Sequence, residues 1–414
     1  MKFRSALRAV KQTARVAQTS GWRHAASKVA ARLARESTPA QDHVLVPQKL
    51  IVAADWTSPR PWQTTPRRVG SGPYTVAWVT SPPSPASGGH QNMFRFIKFL
   101  EEAGNRCIVS LYDWRGSALD PQGIKAMVDS LAAYPNLEAT FEVYDPAKGV
   151  GPDVDAIFAT AWETAYPVFV DPSTARRLYF VQDFEPTFYA TGSNSVLAEN
   201  TYRFGFHGIT AGRWLKAKLQ DEFGMASGSY DFAVDPLTYG PIPGAKRDGV
   251  FFYARRETPR RGFEIGAAAL EELHRLRPGV PIHLAGSAVA SEAVNFPFTM
   301  HTGLTLSQLN ELYNTCAAGL VISLTNMSLL PLEMVAAGVR VVMNDGPNNT
   351  MVSSNPWLRH VPASPVEMAR ALVALVDEPL DDAAVLQVSA SATSFTWDDS
   401  ARQFVDAFEE AMNA

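Results

Sequence analysis

The 414-residue chain has only two cysteines, Cys107 and Cys316, far apart and each in apolar surroundings. A disulfide framework is therefore excluded, and both read as buried free thiols in a reducing compartment. No grouping of Cys and His has structural-zinc spacing. No apolar run reaches the roughly 18 to 20 residues that a membrane-spanning helix needs. The basic start is followed by no apolar stretch with a small-residue cleavage site, so no secretory signal is expected. A Walker loop, a GxGxxG turn and a nucleophile-elbow serine with its partners are all missing. Charged residues are sparse, at 19% against 46% apolar. That composition belongs to an ordinary globular chain, and the length suits two cores better than one.

The net charge of −4 conceals an asymmetry. Residues 1–36 carry nine Lys or Arg and one Glu, a net of +8, which leaves −12 for the rest of the chain. Within this leader Phe3, Leu7, Val10, Ala14 and Ala17 recur at helical spacing among Lys2, Arg4, Arg8, Lys11 and Arg15. A basic amphipathic helix suits an anionic membrane surface. Packing on its own protein or on a partner subunit stays open as the alternative. Nucleic acid is not expected, because neither an aromatic platform nor an acid-poor body accompanies the basic stretch.

Residues 37–72 read as an extended connection with one short strand at Lys49–Ala53. From Tyr74 onward strand and helix patterns alternate, which implies parallel sheets covered by helices. The Pro- and Gly-rich stretch 235–248 marks a linker, after which the alternation restarts. The expected organisation is a helical extension over 1–36, a first Rossmann-like domain over 37–235, a second over 236–398, and a C-terminal helix over 399–414 that can cross back to the first. Two such domains face each other across a cleft, the natural place for a ligand.

The strongest local pattern lies at 318–345. An apolar run from Gly319 to Leu324 reads as a doubly buried strand, a polar turn follows, a helix runs from about Leu329 to Gly338, and Val339–Met343 forms the next strand. The turn aims the N–H groups of Ser328, Leu329 and Leu330 beyond the sheet's carboxyl edge, with Glu333 one turn into the helix.

Three further constellations carry chemistry. Ser87-Gly88-Gly89-His90 sits between strand and helix, where glycines let a phosphate or acceptor approach the backbone; such turns also serve packing alone. Arg255 ends a strand and Arg261 opens the next helix, so two cations can clamp a diphosphate. Arg256 and Arg260 read as solvated. Asp183 and Glu185, in Val181-Gln182-Asp183-Phe184-Glu185-Pro186, leave a first-domain strand at its carboxyl end, to orient an acceptor hydroxyl, act as a base, or cap the turn. Asp153 and Asp155 read as turn and structural residues, and no metal is expected. His207 and His301 read as core or surface residues.

With these residues aligned, the chain from about 74 to 412 resembles the two-domain GT-B glycosyltransferases of family 4. The resemblance rests on Gly88-Gly89, the pattern from Arg255 to Gly262, and the Leu-Pro-Leu-Glu-Met-Val-Ala-Ala-Gly run at 330–338. The wording at Gly88–Arg95, Phe180–Pro186 and Phe251–Arg255 is similar to bacterial rhamnosyltransferases that build cell-surface glycans from dTDP-rhamnose.

The resemblance implies an α/β GT-B fold and a retaining, metal-independent hexosyl transfer from a dTDP-sugar to a glycan or lipid-linked acceptor. It places phosphate binding on Arg255 and Arg261, ribose binding on Glu333, and further donor contacts on Gly88, Gly89, Thr325, Ser328, Leu329 and Leu330. His90, Asp183 and Glu185 fall on the acceptor side, with Asp183 joining the two arginines in catalysis. Eight residues before Glu333 the family usually has a second glutamate; here Thr325 stands there, which touches the choice of donor sugar. The implied location is cytoplasmic, at the inner membrane surface if residues 1–35 bind lipid, and a homo-oligomer is left open. A nucleotide-sugar epimerase of the same plan and a non-catalytic sugar-nucleotide or glycan binder are the alternatives.

Overall fold

The structure, a computed structural model, describes residues 44–64, 72–85 and 87–414. The basic leader lies outside the described residues.

Two parallel sheets form the framework. The first contains β1 (Thr75–Thr80), β2 (Arg106–Leu111), β3 (Thr140–Val143), β4 (Ala156–Ala159), β5 (Arg176–Val181), β6 (His207–Ala211) and β7 (Ser227–Tyr230), in the order β3-β2-β1-β4-β5-β6-β7. The second contains β8 (Gly249–Ala254), β9 (Ile282–Gly286), β10 (Thr299–His301), β11 (Cys316–Val321), β12 (Arg340–Asn344) and β13 (Leu358–Val361), in the order β10-β9-β8-β11-β12-β13. Central strands such as Val76-Ala77-Trp78-Val79 are buried along their length, because helices cover both faces and no side chain of such a strand can reach water. This is the α/β architecture of two Rossmann-like domains that the strand and helix alternation predicts.

The first core is aromatic. Trp78 stacks on Phe158 with centroids 4.1 Å apart, and Phe180 stacks on Tyr230 at 5.7 Å. Offset stacks of this kind contribute roughly 0.5–1.5 kcal/mol beyond their area. The last helix, Trp397–Asn413, completes that core: Phe404 and Phe408 lie against Phe158, with centroids 6.3 and 6.2 Å away. Its start is fixed by a capping box in which Thr396 and Asp399 each accept the other's backbone N–H, at 3.2 and 2.8 Å. The chain thus leaves the first domain after β7 and returns to it at Trp397. Gln403 accepts from the Asp231 N–H at 2.7 Å and the Ser400 hydroxyl donates to the Asp231 carbonyl at 2.8 Å, so exit and return lie side by side.

Several boundaries differ from the sequence reading. Residues Gln48–Ala53 form a helix, not a strand: only Leu50 is buried, and local bonds to the Pro47 carbonyl satisfy the backbone where no neighbouring strand is offered. β11 runs from Cys316, three residues before the apolar run, and stops at Val321, three residues before the run ends. The short strands β7, β10 and β13 and the helix Asp382–Thr393 carry patterns too brief or too mixed to read. Both cysteines are buried and free.

A Cβ placed on Gly228 lies 2.5 Å from the Ala407 Cβ, so β7 and the returning helix touch backbone to backbone. Gly228→Val is expected to cost about 1–3 kcal/mol by overpacking. A lowered Tm accompanied by a shift in tryptophan emission, as Trp397 loosens, checks it; an unchanged Tm refutes the close approach.

Candidate functional site

Strand order reverses between β1 and β4 in the first sheet and between β8 and β11 in the second. Open parallel sheets take ligands beyond the carboxyl ends at such points. The first crevice receives the turn from Ser81 to His90. The second receives Arg255 and the loop from Ile322 to Leu330.

At the first crevice the helix Gly88–Glu102 opens with Ser87 as its cap. A Cβ at Gly88 would meet nothing within 4 Å, and the Gly89 carbonyl accepts from Gln182 Nε2 at 3.2 Å. Gly88 therefore leaves space, while a Cβ at Gly89 would touch Gln182; neither has a left-handed backbone. His90 Nε2 lies 3.0 Å from the Ser81 carbonyl, which can only accept, so Nδ1 is the acceptor of the Ser87 hydroxyl at 2.7 Å. Burial lowers its pKa and favours this neutral ring. His90 thus staples the turn, and both nitrogens are spent before any acceptor arrives.

In the second crevice Arg261 donates to Ser323 Oγ at 2.9 Å, and that hydroxyl donates to the Asn326 carbonyl at 2.7 Å. The Ser323 carbonyl accepts from the side-chain amides of Asn344, Asn348 and Asn349 at 2.9, 2.9 and 3.1 Å. Loop 323–326 is consequently held from beneath by three asparagines. Arg255 ends β8 with its side chain 45% exposed and its Nε 3.4 Å from Glu257. Two guanidinium groups, one half-buried and one exposed, therefore stand at the same sheet edge. The helix Leu330–Ala336 begins without a side-chain cap, just after Ser328 and Leu329.

The two domains meet at Asp183. Its Oδ1 accepts from the N–H groups of Phe184 and Asn326, each at 2.8 Å, and its Oδ2 accepts from Thr325 Oγ1 at 3.0 Å. Arg260 Nε is 3.6 Å from Oδ2, and its guanidinium lies 4.0 Å over the Phe188 ring. Burial pushes the Asp183 carboxyl up; the Asn326 N–H, Arg261, Arg260 and Thr325 oppose that rise. Asn326 also crosses the seam, donating Nδ2 to the carbonyls of Gln182 at 3.1 Å and Ala211 at 2.8 Å. Arg260 is therefore a seam residue and not a solvated one. Thr325 is turned onto the first domain.

Glu185 does not face the cleft. It is buried, accepting from the Trp162 N–H at 2.6 Å and the Tyr179 hydroxyl at 3.3 Å. Burial and the neighbouring Glu163 push its carboxyl well above the usual range, so it holds the first domain together from within.

Glu333 sits in the first turn of its helix, its carboxyl pushed up to about 7 by burial, with Tyr239 and Arg95 acting against the rise. Arg95 was not legible as a site residue: it looks like one more polar position on an amphipathic helix. Its guanidinium stacks over Trp397 at 3.8 Å, with Asp235 and Glu333 among the charges around it. Asn92, Arg260 and Asn326 were missed for the same reason, since their partners lie in other elements.

A cavity of about 610 Å³ is walled by Arg213, Phe232, Leu332, Val352, Asn355 and Phe395. None of Arg255, Arg261 and Glu333 lines it, and the convergence of charged groups, not its volume, marks the candidate site. Among the described residues no group of three or more His, Cys, Asp or Glu is arranged to hold a metal, and no helix is long and apolar enough to cross a membrane.

Two facing Rossmann-like domains with seven- and six-stranded parallel sheets constitute the GT-B fold, the architecture of a large class of glycosyltransferases. Comparison with known proteins agrees. Residues 248–373 match the model of the WsaF C-terminal domain. The O-antigen biosynthesis protein RfbC of Myxococcus xanthus is 36% identical over 284 residues, covering 66% of this chain. The match spans 22% of that protein's own length. Among solved structures, sucrose-phosphate synthase from Thermosynechococcus elongatus superposes with a TM-score of 0.62 at 12% identity, covering 81% of this chain and 98% of its own. Anabaena HepE, solved with UDP and glucose, gives 0.60 at 14% identity over 82% and 99%.

Because Glu333 is held above its ordinary value of 4.5, the folded protein keeps a proton that the unfolded chain has released between that pH and about 7, and stability falls as pH rises through this window. Glu333→Gln should therefore melt higher than the parent at pH 8 and alike at pH 4; equal melting at both would remove Glu333 from its buried setting. Asp183→Ala should part the domains, read as a larger radius of gyration in solution scattering, and an unchanged radius would show that the seam does not depend on it.

Proposed function

We propose that this chain is a retaining, metal-independent glycosyltransferase of the GT-B family 4 type, acting in cell-surface glycan synthesis, with dTDP-rhamnose as donor and a glycan or lipid-linked acceptor. The observation that carries the reading is the pairing of Arg261 and Arg255 at the second switch point, opposite the open Gly88-Gly89 turn of the first. The name of the Myxococcus relative supports the pathway, and the rhamnosyltransferase-like wording of the motifs supports the donor.

The chemistry asks little covalent help of the protein. Breaking the bond between anomeric carbon and diphosphate leaves a nucleoside diphosphate, and stabilising that departing charge is the main task. Arg261 is preorganised by Ser323, Arg255 stands exposed beside Glu257, and the N–H groups of Ser328, Leu329 and Leu330 add their dipoles. Glu333 accepts hydrogen bonds from the ribose diol. The acceptor hydroxyl attacks from the face the diphosphate leaves, passing its proton to the departing phosphate oxygen, so configuration is retained. Asp183 draws the first domain onto the donor loop and excludes water there. Residues 1–35, rich in Lys and Arg, would hold the enzyme to an anionic membrane.

Thermal-shift measurements with dTDP, UDP and GDP test the reading, and absence of stabilisation by all three would end it. Charge-assisted hydrogen bonds contribute about 1.5–3 kcal/mol, so Arg261→Ala should weaken diphosphate binding roughly 10- to 100-fold, and the exposed Arg255→Ala less. Nucleotide binding without sugar transfer to any acceptor would favour a non-catalytic binder.

A further inference from the structure

We propose that the cavity of about 610 Å³ binds a neutral sugar, as one unit of a glycan chain, and that the exposed Arg213–Asp231 pair reads two of its hydroxyls. The site is additional to the nucleotide cleft and works without a nucleotide.

Both domains supply the walls. Arg213 follows β6, and Asp231 and Phe232 follow β7; Leu332, the segment 350–356 after β12, and Ser391, Ala392 and Phe395 come from the second domain. Arg255 follows β8 and the loop at 322–330 follows β11, so the cavity opens on other strand ends than the diphosphate cations do. Its volume falls within the roughly 300–1,000 Å³ of small-ligand sites.

The polar groups on the wall are within reach of a ligand and only partly used. Arg213 Nη2 donates to Asp231 Oδ2 at 3.1 Å, and Gln403 Nε2 lies 3.4 Å from the same oxygen. Among the described residues Asp231 Oδ1 and Arg213 Nη1 have no hydrogen-bond partner, and the two side chains are 22% and 71% exposed. An acceptor and a donor standing side by side suit a group that donates and accepts at once, which is a hydroxyl. Neighbouring hydroxyls on one sugar ring present two such groups together. Asn355 Nδ2 gives one hydrogen to Ser391 Oγ at 2.9 Å and Oδ1 takes the Trp357 N–H at 2.9 Å, which leaves the second amide hydrogen for a further hydroxyl.

Charge narrows the class. Arg213 and Asp231 are the charged residues of the wall, and a groove that shares them adds Lys216, Asp406 and Glu410. Two cations against three carboxylates do not favour a phosphate or carboxylate, and a basic ligand would meet the Arg213 guanidinium. Phe232, Leu332, Val352 and Phe395 make the rest of the wall apolar. A sugar ring has a C–H face to lay on such side chains and hydroxyls at its edge for the ion pair.

Saturation-transfer NMR titrations of rhamnose, glucose, N-acetylglucosamine, maltotriose and glucose 6-phosphate, without nucleotide, test this on the wild type, Arg213→Ala and Ser354→Trp. At least one of the four neutral sugars is expected to bind, and more tightly than glucose 6-phosphate. Arg213→Ala should weaken it about 3- to 10-fold, and Ser354→Trp, which fills the cavity from its wall, should abolish it. Both positions are exposed, so both variants should melt with the wild type. No binding by any neutral sugar, tighter binding of the phosphate ester, or unchanged binding in either variant would overturn the site. None of these results touches the nucleotide reading, which the thermal-shift series with dTDP, UDP and GDP decides separately.

Discussion

The contact between Asp183 and the peptide at Thr325-Asn326 is the constraint on which the site's geometry depends. One carboxylate accepts hydrogen bonds from its own domain and from the other, and the neighbouring Asn326 returns two donors across the seam. Each bond alone is modest, about 0.5–1.5 kcal/mol, but together they fix which residue of one sheet edge faces which residue of the other. The three asparagines beneath Ser323 make the loop a rigid partner, so that closure brings together two preformed surfaces.

Rigidity at the seam contrasts with the cations. Arg261 is half-buried and tied to Ser323, whereas Arg255 keeps almost half its surface in water. The half-buried charge is positioned by the protein, and the exposed one is open to a ligand arriving from solvent. Glu333 occupies a third condition: burial holds it near the point of protonation at neutral pH, and the charge of Arg95 from the opposite domain bears on it.

Much of the fold was legible because buried parallel strands write themselves as unbroken apolar runs and covering helices as amphipathic ones. β8 and the helix Pro365–Asp377 fall where those patterns put them. The elements that escaped are short, like β10, or half-exposed, like β13, where neither period completes itself. At the site, the chemistry of a residue type was readable and its partner was not. Arg260 and Glu185 show the two directions of error: a cation taken for solvated lies 3.6 Å from Asp183, and a carboxylate taken for the cleft accepts from the Trp162 N–H. Both outcomes are set by residues distant in sequence, which no local pattern encodes.

The juxtaposition of Asp231 with Ser400 and Gln403 has a mechanical meaning. Two covalent straps join the same two bodies, and they pass each other at one spot. Those bonds lie within the first domain, so they fix the place from which both straps run to the second. A common root for both straps tethers the second domain to the first at one place, so its far edge keeps the same residues of the first within reach.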